Sequence, residues 1–210
     1  MLESLAERFE REVLPDVITR LTASFTLTRL AGEIEHSTAR MSELVRAVKE
    51  YSYMDQMAEQ EIDIHTGIEN TLIMLRHRLR QGVTVTRSYD RSLPRICAFG
   101  SELNQVWTNL IDNALDAMGE KGELRIRTAR ELDFALVEIG DNGPGIPADV
   151  KARLFEPFFT TKPVGQGTGL GLDMAHRIVQ KHRGAIQVES QPGDTRFQIR
   201  LPIPKPTVLD

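Results

Sequence analysis

Two neighbouring segments near the middle of the chain have the pattern of a β-hairpin. GELRIRTARE (122–131) and DFALVEIGDN (133–142) are strand-like and are separated by one residue, so they pair naturally as adjacent strands. Helical patterns are mixed with strand patterns along the rest of this region. The sequence therefore predicts an α+β fold, a two-layer α/β sandwich with helices on one face of a sheet. The further strand patterns are EIDIH (61–65), VTVTRSYD (83–90), LPRICAFG (93–100), AIQVES (185–190) and TRFQIRLP (195–202).

Three segments between these strands have helical patterns. TGIENTLIMLRHRLRQG (66–82) is expected to end at its glycine, and GLDMAHRIVQKHRG (171–184) also has the pattern of a helix. The third, SELNQVWTNLIDNALDAMGEKG, begins at Ser101, whose hydroxyl is expected to cap the helix.

The first sixty residues differ from the rest, because they contain one glycine, Gly32, and one proline, Pro15. From Leu27 onward the apolar residues are spaced by three, four or seven, which predicts a long amphipathic helix. We expect a helical segment at residues 1–60, with its long helix at about 22–58, an α/β domain at 61–203 and a tail at 204–210. Pro15 is expected to interrupt the pattern and to leave a short helix before the long one.

The apolar seam of the long helix allows two arrangements. The helix could pack against its own domain, as one long helix. Alternatively, it could belong to an antiparallel helical hairpin that dimerises into a four-helix bundle. The pattern alone does not separate these arrangements, and a homodimer is expected from the second.

Composition excludes several classes of protein. The net charge of −4 gives no basic surface for nucleic acid, and a single cysteine, Cys97, cannot form an internal disulfide. No apolar run approaches the length of a membrane span, and the first residues are too charged for a signal peptide. We expect a cytoplasmic chain with no nucleic-acid partner and no direct contact with a membrane.

The segment NLIDNALDAM contains two asparagines inside an otherwise apolar helical pattern. Asn109 and Asn113 are one helical turn apart and share a face. Asparagine is unfavourable in a helix interior, because its side chain competes for nearby backbone groups. The pair is therefore expected to bind something.

The segment GDNGPGIP (140–147) follows the second strand of the hairpin. Asp141 lies at the strand end, and Gly143 and Gly145 allow a positive φ or the close approach of another group. The segment could be a simple turn. Alternatively, a carboxylate held at this point could accept a hydrogen bond from an exocyclic amine of a base.

The segments LFEPFFTTKPV (154–164) and GQGTGLGL (165–172) are adjacent. Glycines that lead into a helix let backbone N–H groups approach phosphate oxygens. Phe155, Phe158 and Phe159 could anchor a hinged lid, and Lys162 could reach a phosphate. The alternatives are a hydrophobic plug and a flexible linker.

Taken together, these segments resemble the ATP-binding domain shared by sensor histidine kinases, DNA gyrase, Hsp90 chaperones and MutL, the Bergerat fold. They match its N, G1, F and G2 boxes in order. The resemblance implies ATP and Mg²⁺ as cofactors, with Asn113 as the metal ligand and Asp141 on the adenine amino group. The residues that it assigns to cofactor binding are Asn109, Asn113, Asp141, Gly143, Gly145, Ile146, Phe155, Phe158, Thr161, Lys162, Gly165, Gly167, Thr168, Gly169, Leu170 and Gly171.

Position 109 separates the branches of this family. The gyrase-like, Hsp90-like and MutL-like members have a glutamate there to activate water, whereas this chain has Asn109, which cannot act as that base. The helical phase of Asp112 and Asp116 turns them away from Asn109. The chain therefore resembles a histidine kinase. The segment FEPFFTTKPVG, with its short lid, most resembles kinases of the nitrogen-regulator type. Asp194 replaces a glycine of the family in PGDTRFQIRLP, so no nucleotide contact is assigned to that loop.

A histidine kinase needs an acceptor imidazole. His36 is the candidate on the helical segment, but the acidic residue Glu35 precedes it, whereas an acidic residue usually follows the acceptor in the family. His65, His77, His176 and His182 are expected to be structural. Because the helix containing His36 resembles the second helix of a dimerisation hairpin, the acceptor could also lie on a segment upstream of this chain, together with a sensor domain.

The resemblance implies a response-regulator receiver domain as the partner that finally receives the phosphoryl group. Two alternatives remain open. The chain could be a nucleotide-dependent binding module without autokinase activity, or a protein-serine kinase of the anti-sigma-factor kind, which needs no internal histidine.

Overall fold

The computed structural model describes residues 14–53, 59–79, 82–119, 121–163 and 167–204, which form two compact units. The first unit contains nearly all of helix α1 (Leu14–Tyr53). The second contains the sheets and the remaining helices. Its helices are α2 (Ile64–Met74), α3 (Arg76–Leu79), α4 (Gly100–Met118), α5 (Ala148–Lys151) and α6 (Gly171–Lys181).

Helix α1 is continuous over 40 residues and begins earlier than the sequence predicts. Pro15 lies in its first turn, where a missing backbone N–H breaks no helical hydrogen bond, so the proline starts this helix and does not interrupt it. The expected shorter helix before it falls outside the described residues. No helix in the described ranges is both long enough and apolar enough to cross a membrane.

The strands of the second unit are β1 (Gln60–Ile62), β2 (Val83–Ser88), β3 (Ile96–Ala98), β4 (Gly122–Glu131), β5 (Phe134–Asp141), β6 (Ala185–Gln191) and β7 (Asp194–Pro202). Five of them form a sheet with the order β2-β4-β5-β7-β6. The central strands β4, β5 and β7 are antiparallel neighbours, β6 pairs antiparallel with β7, and the edge strand β2 runs parallel to β4. Strands β1 and β3 form a separate antiparallel pair.

The core lies between one face of the five-stranded sheet and the helices α2, α4 and α6. The predicted hairpin is confirmed as β4 and β5, in which Ile126 faces Ile139. The two-layer α/β sandwich is therefore confirmed. The side chains buried in this layer include Ile68, Trp107, Leu110, Ile111, Leu124, Ile126, Val137, Ile139, Ile178 and Ile199.

The prediction of a strand through residues 61–65 is wrong at its second half. The strand ends at Ile62, because the Asp63 carboxylate accepts a hydrogen bond from the His65 N–H at 2.9 Å and caps helix α2. His65 therefore lies in the first turn of a helix. Its ring is buried, with Nε2 at 2.9 Å from Thr128 Oγ1, so it is a structural histidine, as expected.

The prediction that Ser101 caps helix α4 is also wrong. The helix begins one residue earlier, at Gly100, and its N-cap is Phe99, which provides no side-chain acceptor. The Phe99 N–H donates instead to His182 Nε2 at 3.0 Å, and His182 Nδ1–H donates to the Ile178 carbonyl at 2.8 Å. The buried His182, which follows helix α6, thus binds the backbone at the start of helix α4.

Candidate functional site

Helix α4 places Asn109 beside the N-terminus of helix α6 and Asn113 beside Lys162. Its apolar face is buried in the core, whereas Asn109 and Asn113 are only half-buried. The Asn109 Nδ2 group is buried and has no hydrogen-bond partner in the part of the chain that the structure describes. A Cβ on Gly171 would lie 3.4 Å from Asn109 Oδ1, so the first residue of helix α6 approaches closely.

Asp141 ends strand β5 with its side chain almost completely buried. Its Oδ1 atom accepts a hydrogen bond from the Gly143 N–H at 2.9 Å. A Cβ on Gly143 would lie 3.2 Å from the Cβ of Ala117, which is one turn beyond Asn113 on helix α4. The turn after β5 therefore packs against the helix that carries the two asparagines.

Gly145 fits a position that no other residue could occupy without strain. It has a φ of +83°, and an added Cβ would lie 2.8 Å from the carbonyl carbon of Gln191. Two hydrogen bonds tie the same turn to the β6–β7 hairpin. The Gly193 N–H donates to the Gly143 carbonyl, and the Ile146 N–H donates to Ser190 Oγ, both at 2.8 Å. The PGDT loop therefore supports the turn.

Burial of the Asp141 carboxyl disfavours its ionised form. Desolvation raises the pKa of this carboxyl above its ordinary value, and the Gly143 N–H and the Arg125 guanidinium only partly oppose that effect. Arg125 donates to the Asp141 carbonyl oxygen at 3.3 Å and pairs with Asp194. A desolvated carboxylate of this kind fits a ligand that brings its own hydrogen-bond donor.

Phe158 of the predicted lid segment meets Gly169 of the glycine-rich segment. Both have positive φ values, 65° and 68°, and the Phe158 N–H donates to the Gly169 carbonyl at 2.9 Å. A Cβ on Gly169 would lie 2.3 Å from the Phe158 carbonyl carbon. The expectation that the Phe158 side chain anchors the lid is wrong, because that side chain is 66% exposed. Its backbone forms the contact.

The other aromatic residues of this segment do contact their neighbours. Phe155 stacks on the His176 ring with centroids 5.0 Å apart, and it packs against the core. Phe159 is half-buried under the Arg153 guanidinium, which lies 4.3 Å from the ring centroid. Of the three phenylalanines expected to anchor the lid segment, Phe155 and Phe159 therefore contact neighbouring side chains.

The glycine-rich segment leads directly into helix α6. A Cβ on Gly167 would lie 2.8 Å from Thr160 Oγ1, and the Leu170 N–H donates to Thr168 Oγ1 at 3.4 Å. Leu170 is the N-cap of helix α6, and it supplies no side-chain cap. The N–H groups of the first turn thus receive no side-chain hydrogen bond from the N-cap residue, and helix N-termini of this kind bind anions. Gly165 lies outside the described residues.

Lys162 contacts the asparagine helix. Its Nζ atom donates to Asn113 Oδ1 at 3.2 Å and to the Asp116 carboxylate. Arg78 donates to both Asp116 and Asp112, with 2.6 Å between its Nη1 atom and Asp112 Oδ1. The sequence prediction included Lys162 but missed Arg78, whose signal was its place in the basic helical segment LRHRLR. Thr161, the residue before Lys162, is exposed.

These groups fit the cofactors that the resemblance implies. The oxygen of Asn113 already faces a cation, the Lys162 ammonium, and an amide oxygen is a suitable ligand for Mg²⁺. The unpaired N–H of Asn109 and the open first turn of helix α6 can donate to phosphate oxygens. Asp141 supplies the buried acceptor that an adenine amino group needs.

Two of the remaining histidines make structural contacts. His36 lies in helix α1, His77 is exposed on α3, and His176 stacks on Phe155. His182 is buried between Phe99 and Ile178, as described above.

Comparison with known proteins places the chain in a family. Residues 100–205 match the family of histidine kinase-, DNA gyrase B- and HSP90-like ATPases. The chain belongs to this family, and the resemblance stated from the sequence is confirmed.

Individual relatives are histidine kinases. The sensory histidine kinase/phosphatase NtrB of Rhizobium leguminosarum bv. phaseoli is 33% identical over 200 residues, which cover 88% of this chain and 51% of that relative. This chain thus spans about half of its length. The catalytic domain of histidine kinase ThkA is similar with a TM-score of 0.64 and 30% identity, over 70% of this chain and 96% of that domain. A ThkA complex with the response regulator TrrA shares the fold, with a TM-score of 0.67 and 23% identity, over 97% of this chain and 67% of that one.

Gly145→Ala and Gly193→Ala form a matched pair that tests the turn after β5. Both glycines have a φ near +84°, but only Gly145 has backbone atoms where a Cβ would lie. A left-handed conformation costs an alanine about 1–2 kcal/mol. We expect that loss of unfolding free energy from Gly193→Ala and a larger loss from Gly145→Ala, measured by urea denaturation. Equal losses would contradict the packing argument.

Asp141→Asn should make the fold more stable at neutral pH. The pKa of Asp141 is raised by burial, so folding favours its protonated form, and the ionised form destabilises the fold as the pH rises through that pKa. The variant should have the higher urea midpoint at pH 7, and the difference should vanish well below the ordinary pKa of aspartate. A wild type that is more stable at pH 7 would contradict this reasoning.

Proposed function

We propose that this chain is the ATP-binding catalytic portion of a two-component sensor histidine kinase. It binds ATP with Mg²⁺ and passes the γ-phosphoryl group to a histidine imidazole. The phosphoryl group then goes to an aspartate of a response-regulator receiver domain, and a sensor domain would set the activity. Family membership, the histidine kinase relatives and the arrangement of the polar groups support this proposal.

Each end of the nucleotide would meet a different part of the site. Asp141 would accept a hydrogen bond from the adenine amino group, and Gly143, Gly145 and Ile146 would shape the pocket around the base. Guanine has a carbonyl oxygen where adenine has this amine, so a carboxylate acceptor selects adenine.

The phosphates would lie toward helix α6. The first-turn N–H groups that follow Leu170 would donate to phosphate oxygens, with Gly167, Thr168, Gly169 and Gly171 allowing close approach. Asn113 would hold Mg²⁺ through its amide oxygen. The metal, when bound, neutralises charge on the phosphate oxygens.

The presence of Asn109 is the main observation that favours phosphoryl transfer to a histidine over hydrolysis of ATP. Its amide cannot take a proton from water, so it cannot activate water for attack. The two carboxylates on the same helix, Asp112 and Asp116, are engaged by Arg78 and Lys162. A neutral imidazole needs no such base to attack the γ-phosphorus, because its nitrogen lone pair is already free.

The exposed apolar side chains of helix α1 support a homodimer. Leu27, Leu30 and Ile34 lie on one side of the helix and are exposed in the isolated chain. Ile18, Leu21 and Phe25 lie on the opposite side and are also exposed. We propose that the seam beginning at Leu27 packs against a second copy of this chain, as in a four-helix bundle.

Labelling with ATP tests the proposed transfer. We expect wild type to bind ATP with Mg²⁺ and Asn113→Ala to bind it at least about tenfold more weakly, a difference of about 1.4 kcal/mol. Incubation with γ-labelled ATP then compares wild type, His36→Gln and the control His77→Gln, which removes an exposed histidine. An acid-labile label that only His36→Gln removes would identify His36 as the acceptor.

The other outcomes separate the alternatives. An acid-stable label would contradict the proposal and indicate a serine kinase. Release of inorganic phosphate without labelled protein would indicate an ATPase. A third outcome is ATP binding with neither labelled protein nor phosphate release. If a separately supplied chain that contains a histidine is then labelled, the acceptor lies on another segment. If no supplied chain is labelled, the protein is a nucleotide-binding module.

Leu30→Asp tests the proposed dimer. A charge in the middle of an apolar interface should dissociate the dimer, because an unpaired buried carboxylate is strongly unfavourable. Thr28→Asp is the control, since two residues earlier on a helix corresponds to nearly the opposite side. Light scattering should give a monomer mass for Leu30→Asp and a dimer mass for wild type and Thr28→Asp. An unchanged mass for Leu30→Asp, with its helix content intact, would contradict the interface.

A further inference from the structure

Lys162, Asn113, Asp116, Arg78 and Asp112 form a connected cluster, here called the lysine clasp. Lys162 Nζ lies between Asn113 Oδ1, at 3.2 Å, and one oxygen of Asp116. The other oxygen of Asp116 accepts from Arg78, which also donates to Asp112. Arg78 thus fixes the orientation of the carboxylate that holds Lys162.

The ammonium of Lys162 occupies a cation position on the asparagine helix. Asn113 and Asp116 are three residues apart on α4, so their side chains lie on the same face. An amide oxygen and a carboxylate oxygen are the kinds of ligand that a hard cation binds. Lys162 therefore lies where the proposed function places Mg²⁺, against the same oxygen of Asn113.

The clasp keeps a negative charge beside the proposed phosphate site. Burial alone would raise the pKa of Asp116, but the hydrogen bonds from Lys162 and Arg78 outweigh it and hold the pKa below its ordinary value. Asp116 is therefore ionised at neutral pH. This negative charge attracts the Lys162 ammonium and so favours the contact of Lys162 with the asparagine helix.

We infer that Asp116 is a positioning residue that holds Lys162 on Asn113 until ATP and Mg²⁺ displace it. An ammonium and a divalent cation cannot share the oxygen of Asn113 at close range, because their charges repel. Lys162 must leave Asn113 for the metal to bind, and its ammonium is then available to the phosphates. The inference rests on the proposed function. It implies that Asp116 lowers the affinity of the site for ATP with Mg²⁺.

The same contacts could form an ordinary surface ion pair with no such role. Lys162 and Asp116 have side-chain exposures of 33% and 35%, and exposed pairs contribute only about 0–1 kcal/mol to stability. Asp112 provides the control that separates the two readings. It lies one turn before Asp116, pairs with the same Arg78 and is ionisable, but its only ion pair in the described residues is with Arg78.

The test measures ATP affinity by isothermal titration calorimetry, in Mg²⁺ and in EDTA, for wild type, Asp116→Asn and Asp112→Asn. Asp116→Ser is measured in parallel, so that the result does not depend on one variant, and circular dichroism checks the fold of each. Asp116→Asn should bind ATP with Mg²⁺ three- to tenfold more tightly than wild type. Asp112→Asn should change the affinity less than twofold.

A double mutant shows whether Asp116 acts through Lys162. In a Lys162→Gln background, Asp116→Asn should change the ATP affinity less than twofold, because there is no longer an ammonium for Asp116 to hold on Asn113. Equal gains from Asp116→Asn and Asp112→Asn would overturn the inference in favour of a general charge effect. Weaker binding by Asp116→Asn in Mg²⁺ but not in EDTA would overturn it in favour of a direct metal ligand, and unchanged binding would also overturn it. Failure of wild type to bind ATP would instead contradict the proposed function.

Discussion

The packing of helix α4 against the sheet determines where every polar group of the site can lie. Trp107, Leu110 and Ile111 are almost fully buried, which commits one face of the helix to the core. Asn109 and Asn113 must then lie at the edge of the core, where Asn109 meets the start of helix α6 and Asn113 meets Lys162. A shift of the helix by one residue would rotate both amides by about 100° and remove them from that edge. The asparagines therefore depend on the apolar residues around them.

The fold could be predicted from the spacing of apolar residues in the sequence. The ends of individual helices and strands could not, because they depend on tertiary contacts. A half-buried strand or helix repeats its apolar residues at the period of its own geometry, and that local signal indicated the hairpin of β4 and β5 and the helix around Asn109. Ser101 was wrongly expected to cap α4, because the N-cap position instead meets His182, which is 83 residues away. The end of β1 was missed because the Asp63 side chain starts a helix there.

The site was predictable to the extent that its parts lie in continuous motifs. Asp141, Gly143 and Gly145 adjoin along the chain, so their shared role can be proposed from residue type alone. The contacts of Arg78 with Asp112 and of Lys162 with Asn113 join residues 34 and 49 positions apart. Residues three, four and seven positions apart share a face of a helix, so the expectation that Asp112 and Asp116 turn away from Asn109 is wrong. Helical phase also carries no information about which side chains approach from other elements.

The pairing of Phe158 with Gly169 has a consequence for how this region can vary in length. Because their backbones are joined, the segment between them is a loop whose ends are already closed. The entropy of closing a flexible loop grows only with the logarithm of its length, and each doubling costs about 0.6 kcal/mol. Residues could thus be inserted between these two positions at small thermodynamic cost, leaving helix α6 and its first residue, Gly171, in place. The number of residues between Phe158 and Gly169 can therefore change without a change in the surrounding helices and strands.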